Sequence, residues 1–481
     1  MLLICTILFP IVTGIIVSSI KADMSIRKRG YTGILVITDI LCLLSILEGK
    51  DITPVVLTRN VNFSYSLDSL GTLFLILVMV MYTCTCFYAY EYMNHEERQN
   101  IFFAFYFISY GALIAVAMSA NLITLYFNFE LLTLMTVPMV LHELSKEAVA
   151  AGLKYLFYSV AGALLGLLAV FFVYQYAGEE TLFVSGGFID LTKTAGHEGL
   201  FLAVIFLGII GFGTKAGMYP MHGWLPAAHP IAPAPASALL SGIVAKAGVI
   251  AIIRLVYFSV GPDFIRGTWV QTAWIILCML TIFMGSMMAF REKILKKRLA
   301  YSTISQISYI LLALSFLTEE GYRGGLLHMM GHALSKGVLF LCAGIFIVQL
   351  GIRNVDDLKG IGKRMPITMW CFTIVSLSLV GIPPLAGFLS KWVIASAAID
   401  SGKTPFTILA PAVLLISALL TAGYLLTIVV NAFFPGHDGA GEESLKKAEP
   451  KKIMWVPLTV FCAGVIAVGL FGQAFLTALG I

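Results

Sequence analysis

Four lysines of this 481-residue sequence, Lys215, Lys246, Lys336 and Lys391, lie within long apolar runs where an ammonium group is hard to solvate. Lysine, unlike arginine, gives up its proton when water is withdrawn, so a dry lysine can exist in two protonation states. A row of such residues is a row of proton-holding sites. A carboxylate joins them: Glu130, well inside the apolar run NLITLYFNFELLTLMTVP. An ionisable group at mid-bilayer costs at least about 2.5–3.5 kcal/mol on insertion scales, which makes each one a functional candidate. Snorkelling to an interface is the competing reading, but Lys215 and Lys246 stand more than a turn inside their runs.

Histidines extend the row. In LLHMMGHALSKGVLF, His328, His332 and Lys336 follow one another at four-residue spacing. On a helix that spacing puts all three on one face, about 6 Å apart per step along the axis. Two histidines at this spacing could share a zinc ion, yet no third cysteine or carboxylate ligand lies nearby. A proton relay is the favoured reading, because imidazole accepts and donates near neutral pH.

The stretch KAGMYPMHGWLPAAHPIAPAPASALLSGIVAK, residues 215–246, shows how the lysines are served. Pro220, Pro226, Pro230, Pro233 and Pro235 cannot continue a regular helix. Open backbone at membrane depth is tolerated only where it is buried in protein or lines a wet cavity. A break between Lys215 and Lys246, with His222 and His229 beside it, supplies carbonyls and room for water. The same device returns in SLVGIPPLAGFLSK, ending at Lys391. Two interrupted helices in corresponding positions point to a transporter built from two structural repeats.

The surrounding chain must position these groups in lipid. It is 59% hydrophobic and 12% charged, more apolar surface than a soluble protein of this length could hide. Runs long enough to cross about 30 Å of hydrocarbon recur near 1–20, 30–48, 67–90, 101–119, 121–142, 151–177, 199–220, 234–260, 268–290, 299–317, 324–350, 366–399, 406–434 and 453–477. The expected fold is an all-α polytopic membrane protein of about fourteen transmembrane helices, with two inverted structural repeats and breaks in the seventh and twelfth spans. Its expected parts are three N-terminal helices in 1–100, a first half-channel in 101–260, a second in 268–434, and a cytoplasmic loop with a C-terminal helix in 435–481. Counting Lys154, at the edge of the sixth run, with the connection before it, the odd-numbered connections hold twenty of the 31 Lys and Arg residues and the even ones six. That split puts the odd connections in the cytoplasm of a prokaryotic-type cell membrane and both termini outside. The positive charges at Lys21 and 27–29 follow the first apolar run rather than precede it, so a retained helix is expected there instead of a signal peptide. Asp39, Asp68 and Arg254 also fall in apolar runs but belong to no clear pattern.

Other chemistries find little support. The eight cysteines are scattered and form no C-x-x-C, which argues against an iron–sulfur or zinc site in this chain. No P-loop is present, nor a G-x-G-x-x-G placed after a strand. The basic residues are spread thinly through short loops, so nucleic-acid binding is not expected.

The combination of F-E130, K154-Y-L-F-Y-S, K215 through H-G-W-L-P and S-A-L-L-S-G to K246, H332-A-L-S-K336-G-V-L-F and G-I-P-P-L-A-G-F-L-S-K391 resembles the antiporter-like membrane subunits shared by respiratory complex I, the Mrp sodium/proton antiporters and the membrane-bound hydrogenases. The resemblance spans nearly the whole chain. It implies that Glu130 and Lys215 are the carboxylate–lysine pair of a first half-channel and that Lys246 is the central lysine. It implies further that His332 and Lys336 belong to the histidine-bearing helix, that Lys391 is the terminal lysine of the exit half-channel, and that His222 is the histidine of the broken-helix loop. His229 and His328 are secondary candidates. The implied role is a proton-translocating subunit of a redox-driven complex, with an Mrp-type sodium/proton antiporter subunit without redox partners as the alternative. No cofactor is expected in this chain. Iron–sulfur clusters, flavin or a nickel–iron centre are expected only in partner subunits, alongside other antiporter-like chains, small membrane subunits and peripheral electron-transfer subunits. The sequence departs from the family pattern at Phe129, where tryptophan is frequent, and at Ala227, where many complex I members carry aspartate. The long lateral helix of the largest complex I subunit is not expected.

Overall fold

The structure is a computed structural model and describes residues 1–19, 24–56, 58, 61–178, 181–402, 404–435 and 447–481. Of the basic residues weighed above, Lys21, Arg59, Lys403 and Lys446 lie outside these. The helices in chain order are α1 (Leu2–Ser19), α2 (Met24–Glu48), α3 (Ser69–Tyr92), α4 (Gln99–Met118), α5 (Leu122–Val140), α6 (Lys146–Gln175), the short α7 (Leu191–Thr194) and α8 (Glu198–Ala216). Next come α9 (Leu225–Ile231), α10 (Ala234–Leu239), α11 (Ala245–Leu255), the short α12 (Pro262–Ile265), α13 (Trp269–Arg291), α14 (Leu295–Ser315) and α15 (Glu319–Leu350). The short α16 (Ile361–Arg364), α17 (Pro366–Val380), α18 (Ala386–Asp400), α19 (Pro405–Phe433) and α20 (Lys452–Ala478) complete the bundle.

Twelve of the helical spans among the described residues are long and apolar enough to cross a membrane, which makes this a multi-pass membrane protein. Two expected spans stand outside the twelve. The 299–317 span is α14, whose buried side carries Ser302, Thr303, Ser305, Gln306 and Ser308. The 366–399 span is not one helix but α17 and α18, each of 15 residues, parted at Gly381–Leu385.

The fold is not purely helical. Strands β1 (Ile52–Val56) and β2 (Asn62–Tyr65) form an antiparallel hairpin. ITPVV and NFSY carry β-branched and aromatic residues between polar turns, and a four-to-five-residue run is too short for a stable helix. The hairpin sits on the ends of α4 and α5: Ala120 N–H donates to Ser64 O at 2.9 Å, and Ser64 N–H to Thr124 Oγ1 at 2.9 Å.

Connections meet at two ends of the bundle. At one end Leu295 N–H bonds Arg353 O, Val355 N–H bonds Lys293 O, and Lys451 pairs with Glu91 at 2.6 Å. At the other, Phe183 N–H bonds Ala120 O, Phe188 N–H bonds Ser259 O, and Arg323 donates to Ile481 O at 2.9 Å. The second end also holds a bidentate pair, Arg254 to Asp68 at 2.5 and 2.7 Å, with the guanidinium between the rings of Phe183 and Phe258. Asp68 doubles as the N-cap of α3, accepting from Gly71 N–H. The structure thus gives these two orphans of the sequence a joint structural role. Asp39 is anchored too, accepting from Thr83 and Tyr110.

The longest helix, α15, runs through the middle of the bundle against α14, α17, α18, α20 and α10, and is buried on all sides from 324 to 346. A helix apolar all round belongs in such a place. Its exceptions, His328, His332 and Lys336, are therefore enclosed by protein rather than lipid.

Candidate functional site

Lys215 occupies the last turn of α8, just before the chain leaves the helix at Gly217. Residues 218–224 turn back over it. Trp224 donates from Nε1 to Thr214 O at 2.8 Å and stacks on Tyr155 at 4.5 Å. The ammonium is left in a cage: it donates to Thr133 Oγ1 and lies 4.6 Å from the Phe129 ring centroid and 6.0 Å from that of Tyr155. Glu130 and Thr133 are neighbours on one face of α5, but Lys215 takes the hydroxyl and not the carboxylate. Glu130 Oε1 is buried with no protein partner. Thr133 and Glu130 thus stand about one helical turn apart on α5.

The helix after the break brings Lys246 to the same level. Gly248 lets α11 close onto α8, since a Cβ there would lie 2.6 Å from Phe212 O and 3.2 Å from Lys215 Cβ. Residues 240–244 form a π-helical turn, which widens the backbone, and Lys246 Nζ donates to Ser241 O at 2.5 Å. Such turns recur at functional sites because they free a carbonyl from the helical ladder. Lys336 is equally buried and donates to Leu299 O at 3.1 Å and Ser302 Oγ at 2.7 Å. Tyr424 O–H supports that serine at 2.8 Å.

Beyond Lys336 the helix face predicted from sequence is present. The rings of His332 and His328 stack at 6.0 Å, and the Tyr309 ring centroid stands 5.2 Å from that of His328. His328 Nδ1 meets Ser390 Oγ at 2.9 Å. Lys391, half-buried in α18, reaches back across the 381–385 interruption to donate to Leu379 O at 2.5 Å and Val380 O at 3.0 Å. These are last-turn carbonyls of α17, which no helical N–H can satisfy. Its Nζ also lies 5.2 Å from the Tyr309 ring centroid.

Buried polar atoms without a protein partner concentrate along this line: both ring nitrogens of His229 and of His332, His328 Nε2, Tyr309 O–H, and both amide atoms of Gln306. Buried polar groups are nearly always hydrogen-bonded, so a cluster of orphans in one line marks the place for internal water. His229 stacks on Phe340 at 4.6 Å between the two halves of the row. His222 lies apart, in the turn over Lys215, stacked on Tyr219. The stacked histidines converge on no shared point, and no group of three His, Cys, Asp or Glu able to hold a metal occurs among the described residues.

Thr133, Ser302, Gln306, Tyr309, Ser390 and Tyr424 escaped the sequence reading. A signal existed in YSTISQISYI, where Ser302, Gln306 and Tyr309 recur at helical spacing on a span whose neighbours are apolar.

Residues 119–434 match the family described as NADH:quinone oxidoreductase/Mrp antiporter, TM, and residues 56–103 match the N-terminal family of complex I chain 5. Among curated proteins the chain is 32% identical to NADH-quinone oxidoreductase subunit N of Desulforudis audaxviator over 391 residues, 79% of this chain and 76% of that one. It is 32% identical over 345 residues to Hydrogenase-4 component B of Escherichia coli, 68% of this chain but 49% of that protein. It is 29% identical over 318 residues to a Na(+)/H(+) antiporter subunit of Bacillus subtilis, 66% of this chain and 62% of that one. Its fold is that of a chain in the membrane-bound sulfane sulfur reductase, an archaeal respiratory complex (TM-score 0.85, 22% identity, 99% and 96% of the two chains). It also superposes on a chain of the Mrp complex from Dietzia sp. (TM-score 0.82, 20% identity, 99% and 96%). The chain belongs to the NADH:quinone oxidoreductase/Mrp antiporter family.

Proposed function

We propose that this chain moves protons across a prokaryotic-type cell membrane as an antiporter-like subunit of a redox-driven complex, along Glu130, Lys215, Lys246, Lys336, His332, His328 and Lys391. One observation carries the reading: four lysines inside the helical bundle have no carboxylate in ion-pair contact among the described residues, each being held by a hydroxyl or a backbone carbonyl. A buried ammonium left without a counter-ion is costly, so these sites favour giving the proton up. A carbonyl holds the ammonium and cannot take its proton, whereas imidazole and water between the lysines can. Protonation of Glu130 would change the field at Lys215 and hence the proton affinity of Lys246, and the change would pass by the histidines to Lys391. By reciprocity, a partner that biases one lysine must feel the state of the next.

The parity of the connections supports fourteen crossings, with α14 as the tenth and α17–α18 as the interrupted twelfth. Both termini then lie on the outer side. Ile481 stands with Arg323, and α1 runs antiparallel to α4, with Ile7 by Gly111 and Gly14 by Ala104. The division into 1–100, 101–260, 268–434 and 435–481 places one interrupted helix in each half-channel. The redox centres belong to partner subunits, alongside other antiporter-like, small membrane and peripheral electron-transfer subunits.

Similarity to an Na(+)/H(+) antiporter subunit keeps a second reading in view, an Mrp-type subunit without redox partners. Lysine and histidine bind protons and offer sodium no oxygen ligands, which favours the proton. In the assembled complex Lys246→Ala should leave assembly intact and abolish coupled proton movement; normal pumping by an assembled mutant would falsify the proposal. Co-purification then separates the two readings, since cluster-binding or nickel-binding partners support the first and only antiporter-like and small membrane chains support the second.

A further inference from the structure

A cavity of roughly 110 Å³ opens at the end of the bundle where the charged odd connections meet. Its lining includes the exposed Glu143 and Arg353, the half-buried Glu96 and the buried Lys296. Lys296 is only 5% exposed, although its position just ahead of the 299–317 span would let it reach water. Its ammonium donates to Ala232 O at 2.5 Å, with Pro230 O at 3.4 Å. Those carbonyls end α9, in the segment that carries His229. His229 in turn is an electrostatic neighbour of Lys296, Lys336 and Lys246 alike. Its two ring nitrogens are buried and have no protein partner.

From this arrangement, and resting on the proton-carrying reading above, we infer that the cavity is the proton inlet from the charged-loop face and that Lys296 passes protons through His229 to the Lys246–Lys336 pair. In each transfer the Lys296 ammonium releases its proton, by way of water, to an unprotonated nitrogen of His229. The neutral amine then takes a replacement from water in the cavity, beside the Glu96 and Glu143 carboxylates. Charge balances at every step because only protons move.

The surroundings fit a group that works in both forms. Burial holds Lys296 down to about 8, against the pull of Glu143 and Glu96 and with the push of Arg353. Glu96 is itself raised, first by burial and then by Glu143, with Lys296 acting the other way. Tyr92 is the remaining titratable group on the cavity wall.

The test uses sealed vesicles carrying the intact complex, an imposed pH step and a trapped pH dye. Lys296→Met should lower proton flux about tenfold or more, and Lys296→Arg should not restore it, because arginine keeps its proton. Flux in the unmutated complex should fall as the pH on the charged-loop face rises through about 8. Glu96→Gln removes a charge that raises Lys296, so it should move that fall to lower pH. Wild-type flux in Lys296→Met, rescue by Lys296→Arg, or an unmoved profile in Glu96→Gln would each overturn the inference. Should Lys296 variants fail to assemble, Ile231→Cys on the cavity wall gives a second route: a membrane-impermeant thiol reagent applied to that face should block flux, and labelling without block overturns the inlet. Lys246→Ala in the same vesicles separates the two levels. If it still conducts, the lysine row itself is wrong; if it is dead while Lys296→Met is normal, only the inlet is wrong.

Discussion

Lys215 and Lys391 each stand beside an interrupted helix, yet on opposite sides of the interruption. Lys215 is the last-turn residue before its break, and Lys391 follows its own by several residues. Lys215 is enclosed by a hydroxyl and two aromatic faces, with a buried, unpartnered carboxylate oxygen on the same stretch of α5. Lys391 has no carboxylate in contact among the described residues and grips the end of α17, where the helix dipole presents partial negative charge. The difference assigns them different work. A lysine whose counter-ion can be engaged or released responds to its neighbours, whereas one fixed on backbone carbonyls can lose its proton only to water or a ring beside it. Under the proposed function, Lys215 is the lysine to be set and Lys391 the one to hold and discharge.

Arginine substitution should break this comparison most sharply. Lys391→Arg keeps a cation for the α17 carbonyls, so the complex should assemble, but the fixed proton should abolish coupled pumping. Lys215→Arg should also stop pumping, and should further reduce assembly, because a guanidinium is too large for the space between Thr133, Phe129 and Tyr155. Equal yields of assembled complex from the two variants, read by native electrophoresis, would show that the cages do not differ as described.

The sequence carried most of this site because it carries the exceptions. A lysine, histidine or glutamate inside an apolar run is conspicuous, and four-residue spacing alone predicted that His328 and His332 share a face. What it could not supply was partners. The family resemblance pairs Lys215 with Glu130, its electrostatic neighbour in the fold. Yet the hydroxyl of Thr133 that receives its hydrogen bond went unread, because no spacing rule distinguishes a hydroxyl that meets an ammonium from one that closes on its own helix. Backbone carbonyls are invisible in the same way, since Ser241 O and Leu379 O become ligands only through a π turn and a helix end. The fold was legible for the same physical reason that its hairpin was not. Lipid dictates long apolar runs, whereas β1 and β2 lie outside them, where runs of four or five residues carry little signal. Asp68 and Arg254, 186 positions apart, could be joined only by the folded chain.

Glu130→Gln sharpens the comparison from the other side. It removes the charge that can engage Lys215 and leaves the amide in nearly the same volume, so assembly should persist. Pumping should fall by about tenfold, the usual scale when one charged partner of a relay is lost. The second half should show no counterpart, because Lys391 has only carbonyls to lose. Full activity of Glu130→Gln, measured as protons moved per driving event, would mean that Lys215 is set by something other than the carboxylate.

The smallest expected effect concerns the break itself. Gly381 has φ +104°, where a side chain is strained, and a Cβ there would lie 3.2 Å from Lys391 Cδ. Gly381→Ala should therefore cost about 1–3 kcal/mol of local stability and press on the lysine stem. Gly217, at φ +77°, has the same backbone strain, but a Cβ there would meet Leu225 Cδ1 at 2.3 Å and not the lysine. Gly217→Ala should thus lower thermal stability by a comparable or larger amount while sparing the protonation of Lys215. If the terminal lysine depends on its grip on α17, only Gly381→Ala should also shift the pH dependence of proton release. Thermal melts of the two variants beside their pH–activity profiles separate a break that merely makes room for a lysine from one that holds it.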